Sequence, residues 1–212
     1  MENIKCIFFD VGYTLVNEDE VWNERCREQS QMEEAKKLGI SYKQIYDEIT
    51  KATISYQPQY RTVVKKFNFL EVATYHHELE KLYNDVKFVL QSLSCKYKLG
   101  IIANQTDGLI DRLRDWGILE YFSVIISSWD YQIMKPDKRL FEIAVEKSGY
   151  KAFENVMVGD RLDNDIFPAK SIGMKTIWIK QGFGGMQIPL TKEYFPDEEI
   201  SSLKELLEIL KV

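Results

Sequence analysis

The spacing of hydrophobic and polar positions changes character twice along the chain. Cys6 to Phe9 form an unbroken apolar run that ends abruptly at Asp10, with Gly12 following. A short apolar run bounded in this way predicts a strand buried on both faces. Residues 17 to about 82 are dense in Glu, Gln, Lys and Tyr, lack strand-like alternation, and carry only Gly39 and Pro58 as strong breaks. This stretch reads as helical. One helix is expected from about Val21 to Leu38, stopped by Gly39, and the next starts at Ser41, whose hydroxyl and Gln44 make a capping box. Pro58 breaks the pattern, a short helix carries Tyr60 to Phe67, and a long one is expected to begin near Glu71.

From Lys98 the texture becomes an alternation of strands and helices. Strands are expected at Leu99 to Ala103, Val124 to Ile126, Asn155 to Val158 and Lys175 to Ile179. Helices fall at Asp107 to Trp116, at Asp137 to Ser148 and before Gly173, and an amphipathic helix runs from Ser201 to Leu210. Such an order defines an α/β fold, a parallel sheet with right-handed crossovers. Its first strand is separated from the others by the helical stretch, so that stretch is expected to be an insertion at the carboxyl end of the sheet. Residues 17–82 then form a helical cap domain over Asp10, and residues 1–16 with 83–212 form the α/β core domain.

Composition narrows the partners. The 212 residues carry 28 Lys+Arg against 33 Asp+Glu, a net charge of −5, which gives no basic footprint for nucleic acid and no polybasic patch for a membrane. A phosphorylated ligand therefore needs locally concentrated positive charge. Cys6, Cys26 and Cys95 are odd in number and widely spaced, which argues against a disulfide framework or a zinc cluster and fits a reducing cytoplasm. No apolar run approaches the length of a membrane span, and the N-terminal one is too short for a signal peptide.

Four stretches place reactive groups at strand ends. Ligands of open α/β sheets bind outside the carboxyl ends of the strands, so Asp10 is aimed at a crevice, although an Asp there also suits a simple turn. Asn104, Thr106 and Asp107 put amide, hydroxyl and carboxylate groups before a helix N-terminus, which reads either as an anion site or as an N-cap. Lys135 directly precedes Pro136 and a helix, by itself the pattern of a solvated turn. Asp160, Asp163 and Asp165 crowd three acids into six residues, a repulsion that a cation relieves, and hard oxygen ligands of this kind suit Mg²⁺. Helix capping by Asp163 in an exposed acidic turn is the plainer reading of the same residues.

The segments FFDVGYTLV, GIIANQ, KPDKRLFEIA and VGDRLDNDIFPAKSIGMKTIWI, in that order with a helical insert after the first, resemble the haloacid dehalogenase-like hydrolase superfamily. The resemblance covers nearly the whole chain. It implies a Rossmann-like parallel sheet of order 5-4-1-2-3 with an inserted helical cap. It further implies that Asp10 is a nucleophile forming an aspartyl phosphate, with Lys135 neutralising the phosphoryl oxygens and Asp10 itself. Asp160 and Asp165 would hold Mg²⁺ together with Asp10 and the backbone carbonyl of Gly12. Asn104 would offer its backbone amide to the phosphate, so that Asn104, Lys135 and Gly12 surround the substrate. The expected activity is hydrolysis of a phosphoric monoester or acyl phosphate of a small phosphorylated metabolite.

The chain departs from that pattern. Phosphatase members have a second Asp two residues after the nucleophile, where this chain has Gly12, and a Ser or Thr where it has Ala103; Gln132 replaces a frequent Gly. The second Asp protonates the leaving group and activates water, a contribution of about 10²–10⁴ in rate. Tyr13, Asp19, His76 and His77 are replacements by type, though packing under the cap suits Tyr13, solvation suits Asp19 and an exposed helix suits the histidines. Two expectations result: a slow phosphatase with a long-lived phospho-intermediate, or an inactive or nearly inactive phosphate-ester-binding protein. A dehalogenase role fits the acid-rich fourth segment poorly, and a phosphonatase role would need a cap lysine such as Lys36, Lys37, Lys43 or Lys51. Trp22, Tyr42, Tyr46, Tyr56 and Tyr60 suit either a pocket lining or the core of the helical stretch.

Overall fold

The computed structural model describes all 212 residues. Strand β1 (Cys6–Phe9) is followed by the two-residue strand β2 (Val16–Asn17) and then by α1 (Asp19–Gln31), α2 (Glu33–Leu38), α3 (Tyr42–Ile54) and α4 (Gln59–Phe67). The chain returns through β3 (Lys81–Leu82) into α5 (Val86–Ser94), β4 (Lys98–Ala103), α6 (Leu109–Asp115), β5 (Phe122–Ser127), α7 (Ser128–Tyr131) and α8 (Lys138–Ser148). It ends with β6 (Asn155–Gly159), α9 (Phe167–Ser171), β7 (Lys175–Ile179), β8 (Glu198–Ile200) and α10 (Glu205–Ile209).

The sheet has the order β5-β4-β1-β6-β7-β8, with every neighbour parallel. Counting β1, β4, β5, β6 and β7 as the core strands, this is the order 5-4-1-2-3 read from β7. The sixth strand, β8, is an addition at the edge. Strand β1 is central, and its period-2 alternation feeds two cores. Ile7 and Phe9 join Leu99, Ile101, Val156 and Val158 on one face, while Cys6 and Phe8 join Ile102, Met157 and Phe141 on the other. Burial on both faces explains the continuous apolar run.

Gly100 in β4 makes room for this packing. A Cβ there would lie 2.5 Å from the Phe8 ring and 2.9 Å from the Val124 carbonyl oxygen, neither of which has space to retreat. Gly100→Ala is expected to lower stability by about 1–3 kcal/mol, measured as a drop in the denaturant midpoint at unchanged slope.

Between β1 and β4 the helices pack around their own apolar cluster of Trp22, Cys26, Ile45, Ile49, Tyr60 and Val63, which also takes in Tyr13 and Phe183. Phe183 comes from the loop after β7 and meets Trp22 and Tyr46 at ring-centroid distances of 5.9 and 5.3 Å. The same loop donates from Gln187 Nε2 to the Thr53 carbonyl at 2.8 Å and accepts at its Ile188 carbonyl from the Tyr56 hydroxyl at 2.7 Å. The antiparallel pair β2 and β3 joins the chain where it leaves for these helices and where it comes back.

Several expectations need correction. The helix expected from Val21 to Leu38 is two helices, broken at Met32, whose extended ψ of 149° ends α1. No long helix begins near Glu71. The backbone there is captured by side chains of the neighbouring helices: Gln29 accepts from the Ala73 N–H and donates to the Glu71 carbonyl, Arg25 donates to the Ala73 carbonyl, and Glu34 accepts from the Leu70 N–H. Those bonds replace the helical ladder. His76 and His77 are accordingly not on an exposed helix but on an irregular segment and a single 3₁₀ turn. The terminal helix is shorter than expected, beginning at Glu205. Ser41 does form the capping box with Gln44.

Candidate active site

Asp10 follows β1 directly, and its N–H donates to the Val158 carbonyl of β6 at 2.9 Å, which fixes it at the carboxyl edge of the sheet. Asp160 follows β6, the strand beside it. Residues Leu162–Ile166 make one turn of π-helix, an insertion that re-aims a side chain, and it carries Asp165 back toward Asp10. This return needs Gly159, because a Cβ there would overlap the Asp165 carboxylate. The Arg161 N–H then holds Asp165 Oδ2 at 3.0 Å. The carboxylates of Asp10, Asp160 and Asp165 each offer an oxygen within 4.8 Å of the others.

Lys135 reaches this cluster from the loop between α7 and α8. Its buried Nζ donates to Asp10 Oδ1 and Asp165 Oδ1, both at 2.5 Å, and to the Ile102 carbonyl at 3.2 Å. Asn104, at the end of β4, holds the lysine by its backbone: Asn104 Nδ2 donates to the Lys135 carbonyl at 3.0 Å, and the Lys135 N–H donates to Asn104 Oδ1 at 2.7 Å. The Asn104 side chain thus positions Lys135, a contact that the expectation of a backbone amide offered to the phosphate did not include. Four widely separated sequence segments, the ones the family resemblance singled out, lie together at this edge of the sheet.

The electrostatics favour an added cation. Burial works against the Lys135 charge, but Asp10 and Asp165 overcome it and hold the ammonium protonated. Burial raises the Asp165 carboxyl, and the Lys135 contact only partly offsets this. Asp160 is likewise pushed up by burial and by the charges of Asp165 and Asp10. Three carboxylates against one ammonium leave an excess of negative charge in a buried place, and their oxygen-only donor set fits Mg²⁺.

A cavity of about 1450 Å³ opens over this cluster, between the strand ends and the helices α1 and α4. Arg25, Arg61 and Lys65 line its far side, supplying the local positive charge that net composition lacks. The Arg25 guanidinium sits 3.5 Å from the centre of the Tyr60 ring, a cation–π contact that fixes its direction. Of the aromatic residues weighed above, Trp22 and Tyr60 are buried in the helical cluster and also touch the cavity, and Tyr42 is exposed.

Glu18 is the site residue that sequence reasoning missed. It is buried beneath α1, lines the cavity with Asp10, and accepts at Oε2 from Trp22 Nε1 at 2.9 Å. Burial pushes its carboxyl up to about 7, with the Trp22 bond pulling down and the Glu80 and Asp10 charges adding to the rise. The available signal was a tryptophan four residues after one acid in the run Glu18-Asp19-Glu20.

A parallel sheet of this order, with a carboxylate after its central strand and a lysine and two further acids beside it, has the design of a haloacid dehalogenase-like hydrolase. Residues 7–179 match that family, and the chain belongs to it. The chain is 31% identical over 235 aligned positions to the glyceraldehyde 3-phosphate phosphatase of Methanocaldococcus jannaschii, covering 98% of this chain and 97% of the relative. Among solved structures, the HAD phosphatase of Thermococcus onnurineus is similar at 28% identity and a TM-score of 0.69, covering 98% of both chains. The magnesium-bound HAD-hydrolase YfnB of Bacillus subtilis shares the fold, with a TM-score of 0.71 at 21% identity and 99% of both chains covered.

Proposed function

We propose that this hydrolase is a Mg²⁺-dependent phosphatase of a small phosphorylated metabolite, acting through an aspartyl phosphate at Asp10. The observation that carries this reading is the Lys135 bridge from Asp10 to Asp165, which prepares a nucleophile, a cation and a metal-binding carboxylate in one buried cluster. Asp10, Asp160 and Asp165 would hold Mg²⁺, which supplies neutralisation of the phosphoryl charge. Lys135 faces Asp10 and would screen its approach to a dianion. The helical stretch 17–82 acts as a cap, excluding water and placing Arg25, Arg61 and Lys65 against the remainder of the substrate.

The names of the full-length relatives direct attention to triose phosphates. Phosphate release from glyceraldehyde 3-phosphate, p-nitrophenyl phosphate and acetyl phosphate is the test, with and without chelation of Mg²⁺. Release from all three that stops on chelation is expected, fastest for the natural class of ester. Tight binding of an ester with no release from any of them would establish the phosphate-ester-binding alternative, which the pair Gly12 and Ala103 favours.

A further inference from the structure

Position 12 offers no acid, yet the space that an acid there would fill holds one. A Cβ built on Gly12 would overlap the Glu18 carboxylate, with Oε1 the nearest atom. The carboxylate missing from the loop after β1 is delivered to the same place from the start of α1. We propose that Glu18 is the general acid–base of this site. The proposal rests on the reading of Asp10 as nucleophile.

Three observations support it. Glu18 occupies the position before α1 where an acidic side chain ordinarily caps the first turn, but it makes no such bond. The first N–H of the helix, that of Asp19, is taken by Asn17 Oδ1 at 2.7 Å, and the Glu18 side chain turns inward. Its direction is then fixed by Trp22, whose indole N–H holds Oε2 and whose ring is wedged against Tyr75 and Phe183 at 5.9 Å each. With Oε2 held, Oε1 is the oxygen that faces Gly12, in the cavity that Asp10 also lines.

The other candidates by type are already engaged. The Tyr13 hydroxyl donates to Asp19 Oδ1 at 3.1 Å. His76 is bonded to Glu78 at 2.7 Å and to Glu28 at 2.9 Å. His77 is bonded to Glu80 and to Thr106 Oγ1, both at 2.9 Å.

In the first step an oxygen of Asp10 attacks phosphorus, the bond from phosphorus to the ester oxygen breaks, and that oxygen takes the Glu18 proton and leaves as an alcohol. In the second step the Glu18 carboxylate takes a proton from water as its oxygen attacks phosphorus. The bond from phosphorus to Asp10 breaks, restoring the Asp10 carboxylate, the Glu18 carboxylic acid and free phosphate. The sum is ester plus water giving alcohol plus phosphate.

The leaving group separates this role from a structural one. Glu18→Gln keeps the size of the side chain and an oxygen for Trp22, and it is expected to slow glyceraldehyde 3-phosphate turnover about 10²–10⁴-fold. Formation of the phosphoenzyme from acetyl phosphate, whose leaving group needs no proton, is expected to survive, and the label on Asp10 accumulates because its hydrolysis is slowed. The double variant Gly12→Asp/Glu18→Ala clears the space and returns the carboxylate to position 12. It is expected to recover at least about tenfold of the rate lost in Glu18→Ala. Equal losses on all substrates without accumulated label, or a Glu18→Gln rate within about threefold of wild type, would overturn the assignment. Failure of the underlying reading looks different: wild type takes up no label, or its phosphate release persists in Asp10→Asn, and the proposal then falls with it.

Discussion

Asp10→Asn is expected to lose Mg²⁺-dependent phosphate release by about 10³-fold or more while the chain stays folded. The amide has the size of the carboxylate, so the geometry at the end of β1 is preserved, including the Asp10 N–H bond to Val158. What disappears is the anionic oxygen proposed to attack phosphorus. The substitution also removes one of three crowded carboxylates, while Lys135 keeps its bond to Asp165. Stability in the absence of metal should therefore hold or rise slightly. Phosphate release, thermal denaturation and trapping of an acid-stable, base-labile label on the wild-type chain check the three parts separately. A variant that unfolds would count against the stability expectation, and one that turns over within tenfold of wild type would count against a nucleophilic Asp10.

Lys135→Met is expected to damage both stability and rate. Its ammonium is the counter-charge for two carboxylates in a buried place. Removing one partner of a buried ion pair leaves the others uncompensated and costs about 3–5 kcal/mol. The methionine fills much of the volume, so most of the loss is electrostatic rather than a cavity effect. Mg²⁺ bound at the proposed site would supply replacement positive charge, and the loss should shrink when the metal is added at saturating concentration. Denaturant unfolding of both chains with and without Mg²⁺ measures this directly. Turnover at saturating Mg²⁺ should still fall by about 10²–10³-fold, since a fixed charge beside the phosphoryl group is gone. Equal stability losses with and without Mg²⁺ would mean that the metal does not bind beside Lys135.

The strands were readable where burial on both faces leaves a continuous apolar run. Cys6–Phe9 and Lys175–Ile179 lie in the structure at the bounds expected of them. Strand β8 was not, because of Glu198-Glu199-Ile200 only the isoleucine is buried, and an acidic edge strand looks like a loop. The stretch after Phe67 was illegible for another reason: its backbone partners are Gln29, Arg25 and Glu34, some forty residues earlier, and no local pattern encodes them. Asp10, Asn104 and Asp160 announce themselves by following apolar strand runs, whereas Lys135, in a Lys-Pro turn, and Asp165, in an acidic turn, are set apart only by the family resemblance. Glu18 stands among acids that are mostly exposed, and only the folded position of Trp22 decides which of them turns inward.

The aromatic residue that the loop after β7 sends into the helical cluster, Phe183, makes the helices answerable to the sheet at a third place besides the two chain connections. Any swing of those helices wide enough to release product on that side must first withdraw this ring from between Trp22 and Tyr46. Trp22 also holds Glu18 Oε2, so the ring that ties the helices to the sheet packs against the residue that orients the proposed acid, and the two would be released together.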